Sequence, residues 1–230
     1  LHQHSEFASD WLAAREAADH RARSRELTNE LNQWLLSQYE KLRPESHCPM
    51  QIVDIGTGRG SNALFLVPPL QVPQTWLALD QDAALLREAQ KRVDVLDVPF
   101  ETRTVQLSPE NMEQQLPAGV ALITASALID LVSEPWLKAL SQAAVRRKSA
   151  MLIVLSYAGD FELSPAHPDD ELLRNLVNQH QHGDKGTGAA LGPEASIVLE
   201  DLLTREGYRV KLAESPWTLN RGDQVLARML

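Results

Sequence analysis

Short apolar runs alternate with helical segments through the middle of this 230-residue chain. Aliphatic and β-branched residues predict five strands, at residues 51–55, 75–79, 101–107, 120–125 and 150–155. Apolar residues at helical spacing predict helices between and after them, at residues 61–67, 83–92, 133–145, 169–181 and 194–206. Because strands that alternate with helices run in the same direction, we expect a mostly parallel sheet covered by helices on both faces.

The two ends of the chain depart from this alternation. Residues 5–42 have apolar side chains at helical spacing, and we expect a break in the helix near residues 17–19. Residues 208–213 and 224–229 read as two strands with no helix between them, so they either pair antiparallel or leave the sheet. The glycine-rich residues 181–193 form a segment long enough to indicate a functional or mobile loop.

Composition disfavours several classes of function. The chain has 31 acidic and 22 basic residues, and its net charge of −9 repels nucleic-acid phosphates and anionic lipid. No apolar run approaches the roughly 20 residues of a membrane span. The single cysteine, Cys48, excludes an internal disulfide and a cysteine-based zinc site, and it indicates a reducing cytoplasm. We therefore expect neither nucleic acid nor a membrane as a partner.

An acidic residue and three alternate glycines occur where the first predicted strand ends. Asp54 is followed by Gly56, Gly58 and Gly60, and Asp80 ends the next predicted strand, 20 residues beyond Gly60. Glycine lets the backbone approach a ligand closely, and a carboxylate can accept hydrogen bonds from both hydroxyls of a ribose. Because ligands bind at the carboxyl ends of the strands in an open α/β sheet, this is the predicted binding site.

The glycine spacing differs from the dinucleotide fingerprint G-x-G-x-x-G, which from Gly56 would require glycine or alanine at the position of Ser61. The pattern instead resembles motif I of the class I S-adenosylmethionine-dependent methyltransferases. The resemblance covers residues 50–230 and implies a doubly wound α/β fold, whose mostly parallel seven-stranded sheet has its last strand antiparallel. It also implies an N-terminal helical cap at residues 1–48 over a Rossmann-like domain at residues 49–230.

The resemblance implies S-adenosylmethionine as the cofactor. In this family the glycines face the methionine part, and the acid of the second strand, here Asp80, holds the ribose hydroxyls. Ser108 lies where the family often contacts the adenine, although the usual acid is absent there. Arg15 either pairs with a carboxylate of the cofactor or substrate, or forms a surface ion pair with Asp19. The predicted cofactor-binding residues are Asp54, Gly56, Thr57, Gly58, Gly60, Asp80, Gln81, Ser108, Ser126 and Arg15.

The resemblance also favours a small molecule, with an oxygen or nitrogen acceptor, as the substrate. Family members that methylate exocyclic amines of bases usually carry a Pro-Pro-aromatic run after the fourth strand, and residues 124–131 contain no proline pair. Members that methylate cytosine C5 use a Pro-Cys nucleophile, whereas Cys48 precedes the glycine motif.

Three side chains are the predicted catalytic residues. Asp130 follows the fourth strand. It either orients the substrate or accepts a proton, or it is only an acid at a helix N-terminus or a turn residue. Tyr157 follows the fifth strand, and His182 lies in the glycine-rich segment, within a predicted substrate lid at residues 157–193. His180 and His182 have no further fixed ligands nearby, so we expect no metal. Trp136 either walls a substrate pocket or packs in the core, and the core is favoured.

Two other functions remain open at this point. An NAD(P)-dependent oxidoreductase would use the same general fold, although the glycine spacing argues against it. A non-catalytic domain of methyltransferase fold would bind a partner, for example as a homodimer through its N-terminal helices. Cofactor binding distinguishes all three functions.

Overall fold

The computed structural model describes residues 2–41 and 48–230, and for residues 2–8 the backbone alone. Its centre is a parallel sheet of five strands in the order β3-β2-β1-β4-β5. The strands are β1 Met50–Ile55, β2 Gln74–Asp80, β3 Phe100–Thr104, β4 Leu122–Ser126 and β5 Ala150–Val154. The strand order reverses between β1 and β4, where the carboxyl ends of the strands leave a crevice for ligands.

Helices precede, connect and follow these strands. In the described ranges they are α1 His2–Ala22, α2 Arg25–Lys41, α3 Ser61–Leu66, α4 Ala83–Val93, α5 Met112–Gln115, α6 Glu134–Arg147, α7 Asp170–Gln181, α8 Ala195–Arg205 and α9 Gln224–Ala227. Asp82 caps α4 by accepting hydrogen bonds from the N–H groups of Ala84 and Leu85. The proline in the first turn of α6 is tolerated because its missing N–H would have no partner within the helix.

Side chains of the strands alternate between two apolar cores. Ile52 of β1 and Leu122 of β4 belong to a core that also contains side chains of α2 and α3. Val53 and Ile123, their neighbours along the same strands, belong to a second core with side chains of α6 and α8. Because both faces of the sheet are buried, the sheet is doubly wound, as the sequence predicts. The fully buried Leu35 shows that α2 forms part of the first core.

The sheet has five strands rather than seven in the described part of the chain. Residues 208–213 have no ladder partner there, although Tyr208 and Val210 pack against the core of α6 and α8. Residues 224–227 form α9 instead of a strand, because Asn220 and Asp223 make a capping box that starts a helical turn. The predicted antiparallel last strand at residues 224–229 is therefore wrong.

The break between the N-terminal helices lies at residues 23–24 instead of residues 17–19. Ser24 accepts a hydrogen bond from the N–H of Leu27 (N···O 3.2 Å), and this cap starts α2. Residues 17 and 18 are alanines, the best helix formers, so α1 continues through them.

Across residues 2–41 and 48–230, none of the helices combines the length and the apolar character needed to cross a membrane.

Candidate functional site

A glycine turn joins β1 to α3 at the point where the strand order reverses. Gly56, Gly58 and Gly60 have φ angles of 65°, 54° and 82°, in the left-handed region that other residues rarely adopt. The N–H of Gly56 donates to the carbonyl of Leu79 (2.8 Å), which ties the turn to the end of β2. A Cβ on Gly60 would lie 3.2 Å from the Cα of Ala89, so glycine is required for α4 to pack this closely.

Asp80 places its carboxylate beside this turn. Its Oδ2 accepts a hydrogen bond from the N–H of Gly58 (2.8 Å), and its Oδ1 accepts one from the N–H of Asp82 (2.9 Å). Burial raises the pKa of Asp80, while the hydrogen bonds from Asp82 and Gly58 lower it. Each carboxylate oxygen keeps a second lone pair, so Asp80 can still accept two hydroxyls of a ligand. Gln81, the next residue, is exposed.

Asp54 is fully buried and fixes the start of the turn. It accepts hydrogen bonds from Asn62 Nδ2 (2.6 Å) and Thr57 Oγ1 (2.9 Å). Asn62 also donates a hydrogen bond to Thr124 Oγ1 (3.1 Å). Thr124 lies on β4, directly opposite Asp54 in the register of the sheet. Burial raises the pKa of Asp54 to about 6, although the two side-chain hydrogen bonds lower it. Asp54 and Thr57 therefore support the turn from behind.

Arg23, directly after α1, is buried next to this network and is 6% exposed. Its Nη2 donates to Asn62 Oδ1 (2.6 Å) and lies 3.4 Å from Ser126 Oγ, at the carboxyl end of β4. Its Cζ lies 4.5 Å from the ring centroid of Phe65. Within the described chain, its buried Nε and Nη1 have no hydrogen-bond partner.

The charge of Arg23 is only partly compensated. Burial lowers the pKa of Arg23 to about 10, while the nearby carboxylates of Asp54 and Asp19 raise it. The guanidinium remains charged at neutral pH despite its burial, because that pKa still lies well above 7.

Two leucine side chains lie on the glycine turn. Leu12, on α1, has its Cδ1 3.3 Å from the position that a Cβ of Gly58 would take. Leu128, after β4, has its Cδ2 3.1 Å from the corresponding position at Gly56. Helix α1 therefore covers the turn, and a ligand that contacts these two glycines would take space that the leucines fill.

Arg15 is engaged by its neighbours on α1 and near the C-terminus. Its Nε and Nη2 donate to the two carboxylate oxygens of Asp19 (2.8 and 3.1 Å), as the spacing of four residues allows. Its Cζ lies 5.0 Å from the ring centroid of Trp217 and 5.8 Å from that of Trp11. Trp217 Nε1 also donates to Asp19 Oδ1 (2.9 Å). Of the two partners that the sequence allows for Arg15, the structure therefore shows the ion pair with Asp19.

Asp130 follows β4 and is 7% exposed. Its buried Oδ1 has no hydrogen-bond partner among residues 2–41 and 48–230. Burial raises the pKa of Asp130, while hydrogen bonds from its own N–H and that of Tyr157 lower it. Asp130 and the start of the segment after β5 are therefore close together. The hydroxyl of Tyr157 donates to Asn178 Oδ1 (2.7 Å), so this side chain is tied to α7.

Ser108 and Trp136 lie near the end of β3. Ser108 donates its N–H to Asn111 Oδ1 (2.8 Å), just before α5. Trp136 is 2% exposed and donates from Nε1 to the carbonyl of Leu107 (3.0 Å). Its position in the core is the one that the sequence favours.

His182 lies in a different place, at a cavity of about 490 Å³ between the start of α6 and the glycine-rich segment. Its Nε2 is 3.5 Å from Glu194 Oε2. Thr187 Oγ1 accepts a hydrogen bond from the N–H of Ser133 (3.1 Å), and this bond holds the glycine-rich segment against the start of α6. In the part of the chain that the structure describes, no three His, Cys, Asp or Glu side chains are grouped to hold a metal ion.

Sequence reasoning missed three residues of this region, Arg23, Asn62 and Trp217. Asn62 is the second residue of α3, where a side chain can reach back to β1, so its position after the glycines was a usable signal. Trp217 lies in a segment without regular structure, and only the folded chain shows that it contacts α1.

No family model and no curated protein sequence matches this chain. Several solved structures are similar to it, among them the S-adenosylmethionine-dependent methyltransferase SibL, with 17% identity and a TM-score of 0.46 over 77% of this chain. This chain spans about half of SibL, 48% of its length. A methyltransferase from Aquifex aeolicus has 16% identity and a TM-score of 0.44, over 79% of this chain and 81% of that chain.

An O-methyltransferase family protein from Burkholderia thailandensis has 16% identity and a TM-score of 0.45, over 83% of this chain and 57% of that chain. Similarity this distant does not establish an activity, since one fold carries many functions.

Proposed function

We propose that this chain transfers the methyl group of S-adenosylmethionine to an oxygen or nitrogen of a small molecule. The observation that carries the proposal is the hydrogen bond from Gly58 to Asp80, between a left-handed glycine turn and the acid that ends β2. It places an acceptor for hydroxyl groups beside the backbone of the glycine turn, where the strand order reverses. A nucleoside with an amino-acid tail requires both features, one for its ribose and one for its tail.

The residues of the turn fit this cofactor. Asp80 would accept the ribose hydroxyls with its remaining lone pairs, while Gly56 and Gly58 would contact the methionine part. Asp54 and Thr57 would hold the turn in shape, since they bond to each other behind it. Leu12 and Leu128 would have to move off the glycines. Other contacts proposed for the cofactor are those of Gly60, Gln81, Ser108, Ser126 and Arg15.

S-adenosylmethionine, when bound, supplies a methyl group on a positively charged sulfur, already activated for in-line displacement. The chain then mainly orients the acceptor. We propose that Asp130 holds or accepts the acceptor's proton, because its Oδ1 is buried and its pKa is raised. Tyr157 and His182 would contact the acceptor when residues 157–193 close as a lid.

The same proposal covers the organisation of the protein. Residues 1–48 would act as a cap over a catalytic domain at residues 49–230, which the position of Leu12 on the glycine turn supports. The reaction would take place in the cytoplasm, in keeping with the lone, exposed Cys48. A homodimer would form through the N-terminal helices, and the partner in the reaction would be a small molecule rather than nucleic acid.

Isothermal titration calorimetry with S-adenosylhomocysteine tests the proposal. We expect micromolar binding by the wild-type chain and at least a roughly tenfold loss in Asp80→Ala, since hydrogen bonds to a charged group are lost. Asp94→Ala is the matched control. Asp94 follows the C-terminus of α4, whereas Asp80 precedes its N-terminus, and it accepts a hydrogen bond from Gln90. Its affinity should remain at the wild-type value.

The same titration with NADH tests the alternative function, an NAD(P)-dependent oxidoreductase. Binding of NADH without binding of S-adenosylhomocysteine would favour an oxidoreductase. A folded wild-type chain that binds neither compound would overturn the proposal and leave a binding domain without catalysis.

A further inference from the structure

Arg23 differs in its hydrogen-bond partners from Arg147, whose side chain is also largely covered, at 9% exposed. Arg147 pairs with Glu113 and donates to several backbone carbonyls, including those of Pro117 and Leu116. Arg23 makes one short hydrogen bond, from Nη2 to a side chain at the start of α3. Its Nε and Nη1, which carry three of the five N–H donors, find no acceptor anywhere in residues 2–41 and 48–230. A buried charge with idle donors is costly, so a ligand that accepts them would explain it.

The position of Arg23 indicates what such a ligand is attached to. Its Nη2 contacts Asn62, two residues after the glycine turn, and Ser126, the last residue of β4. Arg23 therefore lies where the strand order reverses, on the side of the turn away from Asp80, the acid that ends β2. An anionic group at the end of a ligand whose ribose lies at Asp80 would reach this region across the glycines.

The neighbouring charges keep Arg23 ionised without using its idle donors. Asp54 and Asp19 attract the guanidinium, yet both carboxylates accept hydrogen bonds from other side chains. The guanidinium carbon lies over the Phe65 ring, 4.5 Å from its centroid, and this cation–π contact restrains the side chain. A fixed, planar and charged fork of N–H donors matches a carboxylate better than it matches any neutral group.

We propose that Arg23 binds the carboxylate of the cofactor's amino-acid tail, an inference that rests on the methyltransferase function proposed above. Arg23 is then the residue that selects ligands with this carboxylate over nucleosides that lack it. Arg15, the carboxylate partner suggested by the sequence, instead donates both ends of its fork to Asp19.

Calorimetry with two probes tests this assignment. S-adenosylhomocysteine carries the carboxylate, and 5′-methylthioadenosine has the same nucleoside and a thioether but no amino-acid tail. We expect Arg23→Met to weaken S-adenosylhomocysteine about tenfold or more and to leave 5′-methylthioadenosine within about twofold of the wild type. Arg23→Lys keeps the charge near Asp54 but loses the fork, and it should show the same selective loss if the Met variant does not fold. Arg147→Lys is the control and should bind both probes as the wild type does.

Each outcome separates the two proposals. Unchanged affinity for S-adenosylhomocysteine in folded Arg23 variants would overturn the carboxylate assignment and leave the proposed function in place. An equal loss for both probes would also overturn it, because Arg23 would then only maintain the shape of the site. A wild-type chain that binds neither probe would instead contradict the proposed function itself.

Discussion

Gly58 donates its backbone N–H to Asp80 Oδ2 at 2.8 Å, so the turn after β1 and the acid at the end of β2 form one unit. The second carboxylate oxygen is held by Asp82, which also caps α4. The acid is therefore positioned by backbone groups before any ligand is bound. Such preorganisation lowers the cost of ordering the site when a ligand arrives.

Gly60→Ala should destabilise the protein more than Gly119→Ala. Both residues have positive φ, 82° and 77°, so an alanine at either position costs about 1–2 kcal/mol of unfolding free energy. A Cβ at Gly60 would also lie 3.1 Å from Ala89 Cβ and 3.2 Å from its Cα, and this overlap adds about 1–3 kcal/mol. A Cβ at Gly119 meets nothing within 4 Å. Urea unfolding measures the unfolding free energy of both variants. Equal losses would show that α4 can shift to accommodate the added Cβ at no cost in stability.

Asp54→Asn should change how stability depends on pH. Burial raises the pKa of Asp54 to about 6 in the folded chain, from 3.8. The folded state therefore binds a proton more tightly than the unfolded state, and ionising Asp54 costs stability as the pH rises from about 4 to about 6. The full cost is about 3 kcal/mol, at about 1.36 kcal/mol per pKa unit.

Urea unfolding of wild type and Asp54→Asn at a series of pH values measures this cost. The stability of the variant relative to the wild type should rise between pH 4 and pH 6 and stay constant above that range. A pH-independent difference would mean that Asp54 titrates at its ordinary pKa in the folded chain.

The central strands could be predicted from the sequence because they are nearly continuous apolar runs between turn residues. The relationship of Gly58 to Asp80 could be predicted too, since neighbouring parallel strands end at the same edge of a sheet. The secondary structure of residues 224–229 is harder to predict, because a run as short as Val225-Leu226-Ala227 fits a strand or a helix. The capping box of Asn220 and Asp223 decides it.

The roles of Arg15 and Arg23 could not be separated from the sequence. They lie eight residues apart, close to one face of a helical segment, and both are near the acid at position 19. Only the folded chain shows that Arg15 is held by Asp19 and Trp217, whereas Arg23 is directed to the start of α3. That difference depends on contacts between distant parts of the chain, which a pattern of residue types does not contain.

Trp217→Phe should weaken the attachment of the C-terminal segment to α1. Phenylalanine keeps the ring next to the Arg15 guanidinium but loses the hydrogen bond from Nε1 to Asp19 Oδ1. Because the acceptor is charged, we expect a loss of about 1.5–3 kcal/mol in unfolding free energy. Trp34→Phe is the control, since Trp34 is 36% exposed on α2, and it should change stability by less than about 0.5 kcal/mol. Similar losses in the two variants would argue that this hydrogen bond does not form in solution.

Asp130→Asn should slow methyl transfer while leaving cofactor affinity unchanged. If Asp130 accepts the proton of the acceptor, the variant lowers kcat by about 100-fold or more, the usual contribution of a general base. Its affinity for S-adenosylhomocysteine should stay at the wild-type value, because the proposed cofactor contacts are made by other residues. Asp94→Asn, an exposed aspartate after α4, is the control and should keep full activity.

The pH profile distinguishes this role from a purely structural one. Burial raises the pKa of Asp130, so the wild-type kcat should fall as the pH drops through a value above that of an ordinary aspartate. Asp130→Asn cannot lose a proton there, and this acidic limb should be absent from its residual activity. The measurement is kcat against pH with an acceptor found by screening small molecules for methylation. An unchanged acidic limb in the variant would assign proton transfer to another group.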